Sequence, residues 1–213
     1  TMPKNIVKMS ESYLRNAERI AVGSTTNPAK NISQEIIKVD EAGKYGELVR
    51  QLDDRKGSIV VFVKTKYGTE KLAKKLNRED FSADAIHGDL KQSRRTRVIE
   101  SFRNKEYRIL VATDVAARGL DIPHIEHVIN YDLPQVAEDY IHRIGRTARA
   151  GAEGAALCLI SPQDGRKWHA IEQLLNPDSS RKAPGGRSGP KPSGKHRSRR
   201  SRNKKPSRQY AAA

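Results

Sequence analysis

From residue 36 to residue 175, short runs of β-branched and aliphatic residues alternate with segments whose apolar side chains recur every three or four positions. That alternation is the tightest constraint on the fold, because strands separated by 10–15-residue helices build βαβ units and hence a parallel sheet. Residues 58–63 form a continuous apolar run rich in Val, as expected of a strand buried on both faces. Further strands are expected at 36–39, 83–87, 108–112, 127–131 and 155–160. Helices are expected at 45–52 with Leu48, Val49 and Leu52 on one side, and around Leu72, Ala73 and Leu76. Others are expected at 93–103 with Val98, Ile99 and Phe102 inward, at 136–144 and at 163–175. Residues 4–16 have helical spacing at Ile6, Val7 and Leu14. The sequence therefore predicts an α/β fold, a parallel sheet sandwiched by helices and without internal repeats. In such sheets ligands gather at the loops that leave the carboxyl ends of the strands.

The remaining composition narrows the partner. The chain carries 41 Lys and Arg against 25 Asp and Glu, a formal charge of +16, so an acidic partner is expected, nucleic acid first. Residues 177–213 contain no Leu, Ile, Val, Phe, Met or Trp and hold twelve basic residues against one Asp. Such a segment cannot bury enough apolar surface to offset its ordering entropy. We expect a disordered basic tail, either a phosphate-binding arm or merely a solubilising one. One Cys and six scattered His argue against a four-ligand zinc site, and no metal site is expected. The longest run of Val, Ile, Leu and aromatic residues is 59–63, too short for a membrane span, and the first residues show no basic-then-apolar signal pattern. No membrane partner and a cytoplasmic location follow as expectations.

Unusual residues cluster in the loops after the expected strands. Thr65 follows the strand at 58–63, Gly88 follows 83–87 with Arg95 close behind, and Thr113 follows 108–112. A glycine backbone, hydroxyls and a guanidinium are what a phosphate backbone requires. Each also has a plain structural use: a turn at Gly88, a helix cap at Thr113, a solvated face at Arg95. Arg143, Arg146 and Arg149 recur every third residue, which places them along one side of a helix or tight turn. Like charges so arranged suit a bound polyanion, while Asp121 and Asp132 leave open a structural salt-bridge network.

Residues 111–122, reading VATDVAARGLDI, followed by residues 142–149, reading HRIGRTAR, resemble motifs V and VI of the DEAD-box RNA helicases. Residues 62–65 resemble motif IV, and His87-Gly88-Asp89 with Gln92 and Arg95 resemble the HGD and QxxR elements of that family. These motifs stand in the family's order and span about 58–150. Ala148 departs from the pattern, where the family usually has Gly. Thr1-Met2-Pro3 resembles the end of the motif that closes the first RecA-like lobe.

The resemblance implies the C-terminal, second RecA-like lobe of an ATP-dependent RNA helicase, of bacterial type with a basic tail. Residues 1–30 would be the end of lobe 1 and the interlobe linker, 31–176 the helicase C-terminal domain, and 177–213 the tail. ATP and Mg²⁺ would be held mainly by the N-terminal RecA-like lobe, which this chain lacks: no phosphate loop and no Asp-Glu-Ala-Asp run occur. The chain alone would then be inactive. Arg146 and Arg149 would act as arginine fingers on the ATP γ-phosphate, Asp121 would accept from the ribose with Gly119 allowing close approach, and His142 and Arg143 would couple the lobes. Thr65, Gly88, Arg95 and Thr113 would grip single-stranded or short duplex RNA. A non-enzymatic RNA-binding adaptor and a lobe of a DNA-directed superfamily 2 helicase are the alternatives.

Overall fold

A computed structural model describes residues 4–18, 31–118, 122 and 124–176. Six strands form one parallel sheet: β1 (Ile32–Lys38), β2 (Ile59–Phe62), β3 (Ala83–Ile86), β4 (Ile109–Ala112), β5 (His127–Asn130) and β6 (Gly154–Ile160), in the order β1-β6-β5-β2-β4-β3. The helices are α1 (Lys4–Tyr13), α2 (Lys44–Asp54), α3 (Lys66–Asn77), α4 (Gln92–Arg103), α5 (Asp114–Ala117), α6 (Ala137–Ile144) and α7 (Gly165–Leu175). Every residue of the central strands β2 and β4 is buried. Successive side chains point to opposite faces, so Ile59, Val61 and Val63 pack with Leu48 and Leu52 of α2 and Leu72 and Leu76 of α3. Val60 and Phe62 face the other way, onto Val98 and Phe102 of α4 and Ala116 of α5. A third cluster joins Tyr140 and Ile144 of α6 and Ile171 of α7 to Ala156 and Cys158 of β6.

Three expectations change. β1 runs from Ile32 rather than residue 36, through Ser33, Gln34 and Glu35, because all seven of its residues pair in register with β6, from Ile32 opposite Gly154 to Lys38 opposite Ile160. An edge strand needs an apolar side chain only where it meets the core, so its polar half carries no alternation to read. Residues 162–164 form a separate 3₁₀ turn, closed by a capping box between Ser161 and Asp164, before α7 begins. The loop after β4 contains the one-turn helix α5, too short to show a period.

The chain leaves β2 toward β3 and β4 on one side and returns past β2 to β5 on the other. The carboxyl ends of β2, β4 and β5 therefore meet where the winding reverses, the place a doubly wound sheet offers a ligand. The outer edge of β3 is closed by side chains. Asn77 donates to the Ala83 carbonyl (2.8 Å) and accepts from the Ala83 amide (2.9 Å), while Asp84 accepts from the Ala85 amide (2.8 Å).

Candidate functional site

Arg143, in the last turn of α6, is the knot of the site. It is 2% exposed. Its Nε and Nη2 donate to the two carboxylate oxygens of Asp114 at 2.5 and 2.8 Å. Its Nη1 donates to Asn130 Oδ1 at 3.0 Å and to the Asp132 carbonyl at 2.6 Å. The guanidinium carbon lies 4.8 Å from the centre of the Phe62 ring. One side chain thus ties the ends of β2 and β5 to the first residue of α5, just after β4. A guanidinium is tolerated at such depth only when its fork is paired and hydrogen-bonded.

Asp132 extends the network. Its carboxylate accepts from the Lys64 amide (2.8 Å) and lies 3.9 Å from Lys44 Nζ. Lys44 is buried between Glu41 and Asp164, both at 3.1 Å. Burial alone would lower the Lys44 pKa, but Glu41 and Asp164 raise it. Burial likewise opposes the charge on Asp164, yet hydrogen bonds from Ser161 and Lys44 hold its carboxyl below the usual value. Both charges persist at neutral pH and brace α2 against the end of β6.

The three arginines do not form the single stripe that their spacing predicts. α6 ends at Ile144, and Ala148 adopts the left-handed conformation at φ 55° and ψ 38°. Arg143 turns into the fold, while Arg146 and Arg149 lie half-exposed on the turn that follows. Each is aimed by its Nε: Arg146 donates to the His142 carbonyl (3.0 Å) and Arg149 to the Gly145 carbonyl (3.2 Å). Arg118, His142 and Arg146 share a shallow pocket with Asp114 and Asp139; Arg149 stands on the turn outside it. Asp139 pairs with Arg118 at 2.5 Å. Burial, helped by the Arg118 and Arg146 charges, pushes His142 below its ordinary pKa, so its ring is neutral at pH 7. The carboxylate that Arg143 uses is Asp114, while Asp132 offers a backbone oxygen.

Thr147 pins the turn by donating its hydroxyl to the Ile125 carbonyl at 2.6 Å. Asn31 donates to the carbonyls of Ala148 and Ala152. A Cβ in the left-handed region costs about 1 kcal/mol relative to glycine. Ala148→Gly is therefore expected to raise the unfolding free energy by up to about 1 kcal/mol, less what glycine's extra unfolded-state freedom removes. Urea denaturation of the two chains measures it, and a loss of stability would contradict the strain.

The other expected residues line the same end of the sheet. Thr65 caps α3, its Oγ1 accepting from the Gly68 amide at 3.0 Å, and is exposed. Gly88 is exposed and its φ is not positive; a Cβ there would meet only Lys66 Cε, at 3.7 Å. No turn geometry or packing among the described residues demands a glycine. Lys66 bridges to Asp89 at 2.5 Å, joining the loops after β2 and β3. Arg95 is half-buried and donates to the Ala116 carbonyl at 2.5 Å, fastening α4 to α5. Thr113 is buried at 7% exposure and caps α5 through its backbone. Gly119 and Asp121 lie outside the described residues, as do residues 19–30 and the basic tail 177–213. Asp114, Asn130, Lys44 and Thr147 were not singled out as site residues from the sequence, and Asp132 only as a carboxylate able to pair with the arginines. Asp114 and Thr147 lie within the stretches 111–122 and 142–149, and Asn130 and Asp132 stand at the end of a strand, but neither signal says who pairs with whom.

Residues 43–151 match the helicase conserved C-terminal domain. The chain is 48% identical over 174 residues to the ATP-dependent RNA helicase DeaD of Mycobacterium tuberculosis, covering 81% of this chain and 31% of that protein. It is 40% identical over 185 residues to the DEAD-box ATP-dependent RNA helicase CshA of Geobacillus kaustophilus, covering 86% of this chain and 40% of that protein. It thus spans about a third of the length of these curated relatives. Among solved structures, S. cerevisiae Dbp5 bound to RNA and ADP BeF3 aligns with TM-score 0.74 and 30% identity, covering 82% of this chain and 47% of that one. The E. coli DEAD-box protein SrmB, in its complex with the regulator of ribonuclease activity A, aligns with TM-score 0.65 and 35% identity, covering 68% of this chain and 86% of that one. No helix among the described residues is long and apolar enough to cross a membrane.

Proposed function

The chain belongs to the DEAD-box ATP-dependent RNA helicases, as their C-terminal RecA-like lobe, and from that premise we propose that it completes an ATP site held by the N-terminal lobe while gripping RNA. Arg146 and Arg149 present guanidinium groups to the γ-phosphate when the lobes close, neutralising the charge that develops on the transferred phosphoryl group. Asp121 accepts from the ribose hydroxyl and Gly119 lets the backbone approach. Thr65 and Gly88 are the exposed contacts to the RNA backbone, with Arg95 and Thr113 standing behind them as they hold α4 and α5. Backbone contacts carry no base identity, so the grip is independent of sequence. Closure bends the strand and separates short duplexes, and hydrolysis releases it. The closed state prevails only when ATP and RNA both favour it. RNA as substrate and the single cysteine support a cytoplasmic location.

The observation that carries this reading is the Arg143 knot. It joins α6, which leads into the arginine-bearing turn, to Asp114, beside Thr113 on the proposed RNA side. A shift at either end is transmitted through one buried, bidentate ion pair, and neutral His142 sits in the same pocket. Among the described residues no group of three or more His, Cys, Asp or Glu stands where it could hold a metal ion. The magnesium that the family implies would be held with the ATP phosphates mainly by the N-terminal lobe.

The test is RNA-stimulated ATP hydrolysis, by this chain alone and by the same chain fused to a DEAD-box N-terminal lobe. We expect no activity alone and activity in the fusion. Activity in neither would favour the RNA-binding adaptor, and activity of the chain alone would mean that it carries a complete nucleotide site of its own.

A further inference from the structure

Within residues 31–176 the positive charge is segregated. Residues 66–105 carry eleven Lys and Arg against six acids, whereas the rest of 31–176 carries thirteen against sixteen. The basic stretch is α3, β3 and α4, the sheet edge beyond β4. Solubility asks only for interspersed charge, not for one basic edge.

α3 concentrates this charge on one face. Tyr67, Lys71, Lys74, Lys75 and Arg78 follow at helical spacing, opposite the buried Thr69, Leu72, Ala73 and Leu76. Tyr67 is 77% exposed on this face, so its ring is open to a stacking partner. Lys75 sits over the Tyr45 ring, which holds its ammonium on this face. Glu70 is the acid among them, and it is divided between Lys74 at 3.5 Å and His87 at 2.9 Å. Lys71, Lys74, Lys75 and Arg78 outnumber Glu70 four to one, so the face stays positive even with the Lys74 pair formed.

Two grooves flank Glu70 and Lys74: one of about 280 Å³ reaching Tyr67, Lys71 and Arg78, the other of about 400 Å³ over β3 reaching His87 and Arg94. A peptide adding a strand to β3 is disfavoured, since Asn77 and Asp84 already occupy the outward backbone groups of Ala83 and the Ala85 amide. A cationic face with an exposed aromatic ring is instead the surface on which single-stranded nucleic acid lies, phosphates on the cations and a base on the ring. The face is also continuous with the site, because α3 starts directly after Thr65 and Lys66 reaches Asp89 beside Gly88.

We propose that the outer face of α3 is a second track for single-stranded RNA, taking the strand where it leaves the Thr65–Gly88 edge. Lys71, Lys74 and Arg78 hold phosphates and Tyr67 stacks on a base. The track rests on the RNA reading above and extends it: the lobe prefers a substrate with a single-stranded extension beyond the nucleotides it bends.

The test uses the full chain, with its tail in every variant, and two oligouridines of about four and about sixteen nucleotides. Affinity is followed by fluorescence anisotropy across a salt series. The triple variant Lys71→Gln/Lys74→Gln/Arg78→Gln should bind the long oligomer more weakly, its log–log salt slope shallower by about 2, that is about 0.7 per phosphate lost. Tyr67→Ala should weaken the long oligomer about fivefold or more, and 4-thiouridine in it should cross-link to α3. The short oligomer should respond to neither variant, yet be weakened by Gly88→Glu. Unchanged affinity and slope of the triple variant for the long oligomer would overturn the track. So would equal losses for both oligomers, which would make α3 part of the grip itself. Indifference of the short oligomer to Gly88→Glu would instead overturn the RNA reading at the edge. The substituted side chains are exposed, so each variant should fold like its parent.

Discussion

Arg149→Ala, made in the fusion to a DEAD-box N-terminal lobe, is expected to lower RNA-stimulated ATP hydrolysis by about 10³-fold or more, the contribution of an arginine finger elsewhere. The loss should fall on kcat, because a guanidinium that meets the γ-phosphate most strongly as charge develops acts on the transition state. Stability should hardly move: the side chain is half-exposed, and its hydrogen bond to the Gly145 carbonyl is worth about 1 kcal/mol. Arg149→Lys should recover little, since an ammonium keeps the charge but not the planar fork. Single-turnover hydrolysis with saturating RNA separates chemistry from release. A rate near that of the unsubstituted fusion would remove Arg149 from the catalytic reading and leave Arg146, which shares the pocket with His142, as the sole finger.

Arg143→Met should do the reverse, chiefly costing stability. Methionine keeps much of the volume and the contact with Phe62, but it leaves the Asp114 carboxylate and Asn130 without their donor. Breaking a buried pair by removing one partner costs about 3–5 kcal/mol. The Asp114 side chain is 26% exposed and can draw some water, which places the expected loss near the lower end, about 3 kcal/mol. The double variant Arg143→Met/Asp114→Leu should regain part of this, because neither partner is then left charged and unpaired. Urea denaturation of the four chains closes the cycle. A single-variant loss under about 1 kcal/mol would mean that water replaces the guanidinium easily and that the knot is not rigid.

The two arginines stand six residues apart in one motif and have opposite fates, and that contrast shows how far a sequence can be read. Spacing of three assigns residues to one face only while the helix lasts. Here the helix ends at Ile144, and Ala148 reverses the backbone two residues after Arg146. Arg143 therefore belongs to the buried side of α6, Arg146 and Arg149 to the turn. The motif did place all three at one corner of the fold. The partner of Arg143 was harder: Asp114, Asp121 and Asp132 are equally plausible carboxylates along the chain. Pairing of β2 with both β4 and β5 brings Asp114 to the guanidinium, with Asn130 and Asp132 beside it.

Local chemistry settled the rest of the architecture to different degrees. The runs at β2 and β4 were legible because a strand buried on both faces must be apolar throughout, and the helix faces at Leu48, Leu72 and Phe102 because burial repeats with the helical period. The polar beginning of β1 and the single turn of α5 were not, since one draws its structure from pairing with β6 and the other is shorter than any period. By itself the sequence determined the parallel α/β class, the end of the sheet where the candidate site residues gather, and their types, because periodicity and strand-end position are local properties of a chain. Which charges are buried together, where the arginine turn breaks from its helix, and how the basic residues of α3 and α4 become one edge were decided by tertiary structure alone. Burial and pairing are relations between strands far apart in sequence, and only packing them side by side in one sheet sets those distances.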